Sequence, residues 1–157
     1  MTTLVLVRHA KSDWGDPHLD DHDRPLNDRG LRDAPVLAQR LAATGFRPEV
    51  LLSSTALRAR TTAGFFAEAL GVEPELREEL YGASARTLLA IAAATRSPRV
   101  LLVAHDPGMT SLAHTLSDGG IATMPTCAVA TFRWSADGWD VASSIDPDGW
   151  DFDRPRR

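Results

Sequence analysis

The chain has 157 residues, one cysteine (Cys127) and a net charge of −4 from 17 basic and 21 acidic side chains. At roughly 150 residues per domain this is one domain, 1–157, able to bury about 68–70% of its unfolded surface, and a lone cysteine excludes an internal disulfide framework or a cysteine-built metal cluster. The acidic balance argues against nucleic-acid or polybasic membrane partners, no run approaches the ~20 apolar residues of a membrane span, and 43% apolar with 24% charged residues suits a soluble protein, so a cytoplasmic monomer is expected.

Thr3 to Val7 is a continuous aliphatic run of strand length, too short for a signal-peptide core and closed by Arg8. A polar loop from Lys11 to Leu26 follows. Asn27 then stands where it can cap a helix whose apolar positions Ala34, Leu37, Ala38 and Leu41 recur at helical spacing, with Pro35 expected to bend or restart it. Val50 to Ser53 is a second strand. Ser54 is expected to cap a helix carrying Leu57, Thr61, Phe65 and Leu70 and stopped by Gly71. Ser84 caps a further helix, with Leu88, Ile91 and Ala92 inward. Val100 to Ala104 is the third aliphatic strand, and Asp106-Pro107 after it reads as an N-cap with proline at the first helical position. Near the C-terminus, Cys127 to Trp134 and Trp139 to Ser144 read as two strands of a hairpin turning at Ala136-Asp137-Gly138. Trp134, Trp139 and Trp150 are expected to pack hairpin and tail against the sheet, and the tail from Asp146 to Arg157 is expected to be frayed. The fold class is α/β: a three-layer α/β/α sandwich with a mostly parallel central sheet and a C-terminal β-hairpin.

Ligands of such sheets bind beyond the carboxyl ends of the strands. Arg8-His9, Ser53-Ser54 and His105 all lie there, and Arg58 falls in the first turn of the helix after Ser53, adding its charge to the helix N-terminus. Two histidines and two arginines at one sheet edge make an anion site inside an acidic chain. There is no metal-ligand spacing, no GxxxxGK[ST] or GxGxxG loop and no GxSxG elbow, so neither metal nor cofactor is expected. A neutral histidine can attack phosphorus to give a phosphohistidine that water hydrolyses. Arginine forks suit the phosphoryl oxygens, where catalysis is chiefly positioning and electrostatic stabilisation. His18 and His22 read as solvent-exposed, His114 as surface or satisfied core, Trp14 as a rim residue, and Lys11 and Ser12 as groups that could steer an anionic substrate.

Four segments carry a family resemblance. Leu6-Val7-Arg8-His9-Ala10-Lys11-Ser12 resembles the RHG-type signature of the histidine phosphatase (phosphoglycerate mutase-like) superfamily, with Ala10 where glycine is most usual. Arg24-Pro25-Leu26-Asn27-Asp28-Arg29-Gly30, Ser53-Ser54-Thr55-Ala56-Leu57-Arg58-Ala59 with Thr61-Thr62, and Val103-Ala104-His105-Asp106-Pro107-Gly108 resemble its other motifs, in order. The RHAKS form and small size are most similar to the SixA branch of phosphohistidine phosphatases. The resemblance implies His9 as the nucleophile, Arg8, Arg58 and His105 around the phosphate, and Arg24 as either a further contact or a structural ion pair. It leaves the general acid open. Glu78 has the mutase-like spacing to Gly82, with Glu79 adjacent; Asp21, three residues before Arg24, is the alternative, with Asp20 and Asp23 beside it; SixA-like members can dispense with the residue.

Glu78 to His105 spans 105 − 78 = 27 residues, which leaves no insertion for a lid over a small metabolite. An open site of this kind suits a phosphoryl group presented on a protein surface or a loosely held small phosphoester; the resemblance to the SixA branch implies the expected substrate, phosphohistidine in a protein. A small phosphomonoester handled at the same site, or a non-catalytic phosphate-binding module, are the alternatives.

Overall fold

In the computed structural model, which describes residues 1–156, the chain runs β1 (Thr2–Arg8), α1 (Asp28–Ala43), β2 (Val50–Ser53), α2 (Leu57–Leu70), β3 (Pro74–Leu76), α3 (Ala85–Ala94), β4 (Arg99–Ala104), α4 (Gly108–Leu116), β5 (Val129–Trp134), α5 (Trp139–Ala142) and β6 (Gly149–Asp153). Single turns of tighter helix occur at Asp21–Asp23 and Glu78–Leu80. One sheet holds all six strands in the order β3-β2-β4-β1-β5-β6. The first four of these are mutually parallel, and β5 and β6 add antiparallel pairs at one edge.

Alternation along the central strands builds two cores. Leu4, Leu6, Leu52 and Leu102 face α3 and α4, where they meet Leu88, Met109 and Leu112 together with Phe132 and Trp134 of β5. Val5, Val7, Leu51 and Leu101 face α1 and α2, packing on Leu37, Leu41, Phe66 and Leu70. Strands covered on both faces carry apolar residues at successive positions, which is why these runs read as continuous rather than alternating. The sheet between two helical layers is the expected α/β/α sandwich. Each fully buried leucine contributes about 1.5–3 kcal/mol relative to exposure.

Local signals hold with adjustments. Asn27 caps α1 by accepting from Gly30 N at 2.9 Å, but the helix runs through Pro35 without restarting. The carbonyl that Pro35 leaves without its helical donor belongs to exposed Leu31, on the side open to water. Ser54 is not the cap of α2; Ala56 precedes that helix, and Ser54 Oγ instead accepts from Ala56 N at 3.2 Å in a tight turn. Asp106 is not the N-cap of α4: Pro107 holds that position and Gly108 is the first helical residue, while the two carboxylate oxygens of Asp106 accept from Thr110 N and Thr110 Oγ1.

Three C-terminal expectations are corrected. Trp139–Ala142 is a helical turn rather than a strand, since Trp139 and Ala142, three apart, are inward and Val141 between them is exposed. The antiparallel partner of β5 is β6, so the tail is not frayed there: Val129 to Arg133 pair with Asp153 to Gly149. Cys127 lies before β5, buried at φ 64°, its N–H donating to the carbonyls of Arg8 and His9.

Candidate active site

The carboxyl ends of β1, β2 and β4 lie side by side in the sheet, as the α/β pattern predicts. Arg8, His9, Lys11, Ser12, Trp14, Arg24, Arg58, His105, Asp106 and Thr126 line one cavity of ≈ 200 Å³. His9 follows β1, and its backbone N donates to Ala104 O of β4, which fixes the two histidine-bearing strand ends together. The rings of His9 and His105 lie 5.1 Å apart between centroids.

His9 Nδ1 is 2.7 Å from Ala10 O, an acceptor only, so Nδ1 carries the proton and Nε2 keeps its lone pair. The ring is 7% exposed. Burial pulls its pKa down to about 3, with His105, Arg58 and Arg8 adding repulsion, against the opposing hydrogen bond to Ala10. His9 is thus an uncharged imidazole at neutral pH. Ala10 N in turn donates to Thr62 Oγ1, which itself donates to Arg58 O, tying the segment after His9 to α2.

His105 Nε2 is 2.7 Å from Ser54 Oγ. Ser54 Oγ, which also accepts from Ala56 N, can give its proton to Nε2, the arrangement in which the imidazole proton sits on Nδ1. His105 Nδ1, Arg8 Nε and Arg58 Nε are buried and have no hydrogen-bond partner in the protein. Burial first, then Arg58, lowers the His105 pKa to about 4.

The arginines are held from behind. Arg58 donates through Nη1 to Asp21 O at 2.6 Å and through Nη2 to Asp21 Oδ2 at 2.9 Å. Arg24 donates to Asp21 Oδ1 at 3.1 Å and to Ser12 Oγ at 2.5 Å, with its guanidinium 3.5 Å above the Trp14 ring. It therefore both makes the structural ion pair and lines the cavity. Arg8 donates to Met124 O at 2.9 Å and lies 3.6 Å from Asp106 Oδ2. Asp21 also accepts from Tyr81 Oη at 2.5 Å; this bond and the two arginines hold its carboxyl well below the usual carboxylate range.

The two acid candidates separate here. Asp21 sits against Arg58 and Arg24, accepting hydrogen bonds on both oxygens. Glu78 and Glu79 are exposed on the single turn after β3, and neither lines the cavity; Glu79 lies 3.8 Å from Arg77. Asp20 is exposed, and Asp23 is exposed with its carboxylate 3.7 Å from His22 Nδ1. His22 is not simply solvated: its Nε2 meets Thr55 Oγ1 at 2.8 Å. His18 is exposed, and His114 Nδ1 meets Ile121 O at 3.1 Å. Tyr81 was missed by sequence reasoning. Its ring stands edge-on between His105 (5.4 Å) and His22 (5.1 Å). The signal was a strand end: had the three-residue β3 been read, the only tyrosine of the chain would have fallen in the loop after it. Among the described residues, no three histidine, cysteine, aspartate or glutamate side chains group as metal ligands, and no helix is long and apolar enough to cross a membrane.

Residues 4–84 match the family model of the histidine phosphatase superfamily, branch 1. The chain belongs to that superfamily. An uncharacterized chloroplastic protein of Arabidopsis thaliana is 32% identical over 161 residues, covering 94% of this chain and 73% of the relative. An uncharacterized protein of Mycobacterium tuberculosis is 33% identical over 149 residues, covering 86% and 91%. A crystal structure from Agrobacterium tumefaciens, named for the SixA phosphohistidine phosphatases, superposes with a TM-score of 0.80 at 31% identity, covering 98% of this chain and 99% of that one. Membership and the likeness to the Agrobacterium structure support a phosphatase.

This histidine phosphatase carries Ala10 at the usual glycine position, its methyl group fully buried among the residues packed on α1 and α2. Two motif glycines have no such latitude. A Cβ on Gly30 would stand 2.2 Å from Lys11 O, and one on Gly108 would stand 2.1 Å from Ala83 O. The first lets the start of α1 close against the strand end that carries His9.

Proposed function

We propose that this chain is a metal-independent phosphatase that hydrolyses protein phosphohistidine through a phosphoryl group carried on His9. The observation that carries the reading is the state of His9: uncharged, with Nδ1 committed to Ala10 O and Nε2 left as nucleophile beside Arg8, Arg58 and His105. His9 Nε2 attacks phosphorus as the substrate P–N bond breaks, and the electron pair departs on the substrate imidazole, which takes a proton from solvent. Water then attacks the phosphorus, the P–Nε2 bond breaks, a proton leaves to solvent, and inorganic phosphate departs with His9 restored. Arg8, Arg58, Arg24 and the Nδ1–H of His105 stabilise the charge on the phosphoryl oxygens. The buried unpartnered nitrogens of Arg8, Arg58 and His105 favour an anion, since an unmet buried donor costs about 1–3 kcal/mol.

The carboxyl groups support a nitrogen leaving group over an alkoxide. Asp21 and Asp106 accept hydrogen bonds on both oxygens, and Glu78 lies outside the cavity. An alkoxide needs a proton donor, whereas a leaving imidazole is no more basic than the attacking one. The Agrobacterium structure's name supports the same substrate class. The test is to compare kcat/KM on phosphoramidate and a phosphohistidine peptide with kcat/KM on alkyl phosphomonoesters. A clear preference for the P–N substrates is expected. Preference for the esters would make this a small-molecule phosphomonoesterase, and inertness toward all of them would make it a phosphate-binding module.

A further inference from the structure

Beside the phosphoryl cavity lies a second, of ≈ 470 Å³, lined by Arg29, Pro125, Thr126, Arg154, Pro155 and Arg156. Thr126 is common to both. The loop that carries it is fixed to the strand end of the nucleophile, because the next residue, Cys127, donates its N–H to Arg8 O and His9 O. The segment bearing Arg154 is also fixed: it continues β6, and Arg154 O accepts from Arg40 Nη2 at 2.9 Å.

Three guanidiniums thus gather at one cavity of a chain whose net charge is −4. Arg29 lies 3.8 Å from Asp33, while among the described residues neither Arg154 nor Arg156 has an anionic partner for its side chain. Their setting differs from that of Arg24 and Arg58, which are 6% exposed. Arg29, Arg154 and Arg156 are exposed. A cradle for a second small phosphate would be buried and braced from behind, as the first one is. Exposed, loosely spaced arginines instead steer and orient an extended anionic surface.

We propose that this arginine surface docks an acidic face of the phosphorylated protein, with carboxylates flanking the phosphohistidine meeting Arg29, Arg154 and Arg156 while the phosphoryl group enters the adjoining cavity. The inference rests on the phosphohistidine reading above. Its test uses the full chain, the double variant Arg154→Glu/Arg156→Glu, and three probes: phosphoramidate and two phosphohistidine peptides flanked by glutamates or by glutamines. At low ionic strength the parent is expected to favour the glutamate peptide by about 10-fold in kcat/KM, with added salt erasing the preference. The double variant is expected to lose that preference while hydrolysing phosphoramidate at the parent rate, which also reports that it is folded. Equal kcat/KM on the two peptides with the parent, or an unchanged preference in the variant, would overturn the docking surface and leave the phosphohistidine reading intact. Absence of any P–N hydrolysis by the parent would overturn both.

Discussion

Acidifying the protein from pH 7 to pH 5 is expected to destabilise it mainly through two side chains. His9 and His105 are held uncharged by burial, with pKa values of about 3 and about 4 against 6.5 in the unfolded chain. A histidine whose folded-state pKa lies below its unfolded value binds fewer protons when folded. Stability is therefore complete above about pH 6.5 and falls as pH drops toward the folded pKa. At pH 5 each unfolded imidazole is almost fully protonated and each folded one is not, which removes about 2 kcal/mol per histidine, or about 4 kcal/mol for the pair. That is a large share of the ~5–15 kcal/mol typical of a domain. The assay is urea unfolding in phosphate-free buffer at both pH values for the parent and for His9→Asn and His105→Asn. Each variant should lose about 2 kcal/mol less than the parent over this interval, whatever its stability at pH 7. An identical loss in parent and variants would refute the uncharged imidazoles, and with them the resting nucleophile.

Other substitutions probe the support of the site. Asp21→Asn should slacken Arg58, Arg24 and Tyr81 together, lowering kcat/KM by about 10-fold on phosphoramidate and on a phosphomonoester alike; a loss confined to the ester would instead make Asp21 a proton donor. Ser54→Ala should free the His105 tautomer and lower kcat about fivefold, equivalent to one hydrogen bond of about 1 kcal/mol, with little change in KM; an unchanged kcat would contradict the proton placement. Gly30→Ala should destabilise the chain by about 1–3 kcal/mol in urea, because Lys11 O stands where the methyl would go, and a neutral result would contradict that close approach.

What was legible in the sequence follows from burial. β1, β2 and β4 are covered on both faces and carry unbroken aliphatic runs, so they and the polar groups at their ends could be read directly. β3 is a three-residue edge strand, Pro-Glu-Leu, exposed throughout, and has no such signal. β6 does alternate, with Trp150 and Phe152 against Asp151 and Asp153, but its charge and glycine resemble a loose tail until pairing with β5 is seen. Arg8, His9, Arg58 and His105 meet because three strand ends meet, which the α/β pattern anticipates. The brace behind them joins Asp21 to Arg58 across 37 residues and to Tyr81 across 60, and no spacing rule reports contacts of that range.

The most direct measurement is to quench the protein during turnover of a phosphorus-labelled phosphohistidine peptide and locate the label by mass spectrometry and phosphorus NMR under alkaline conditions. The expected result is a phosphoryl group on Nε2 of His9, absent from His9→Asn. Label on any other side chain, or release of phosphate with no phosphoprotein formed, would contradict the account.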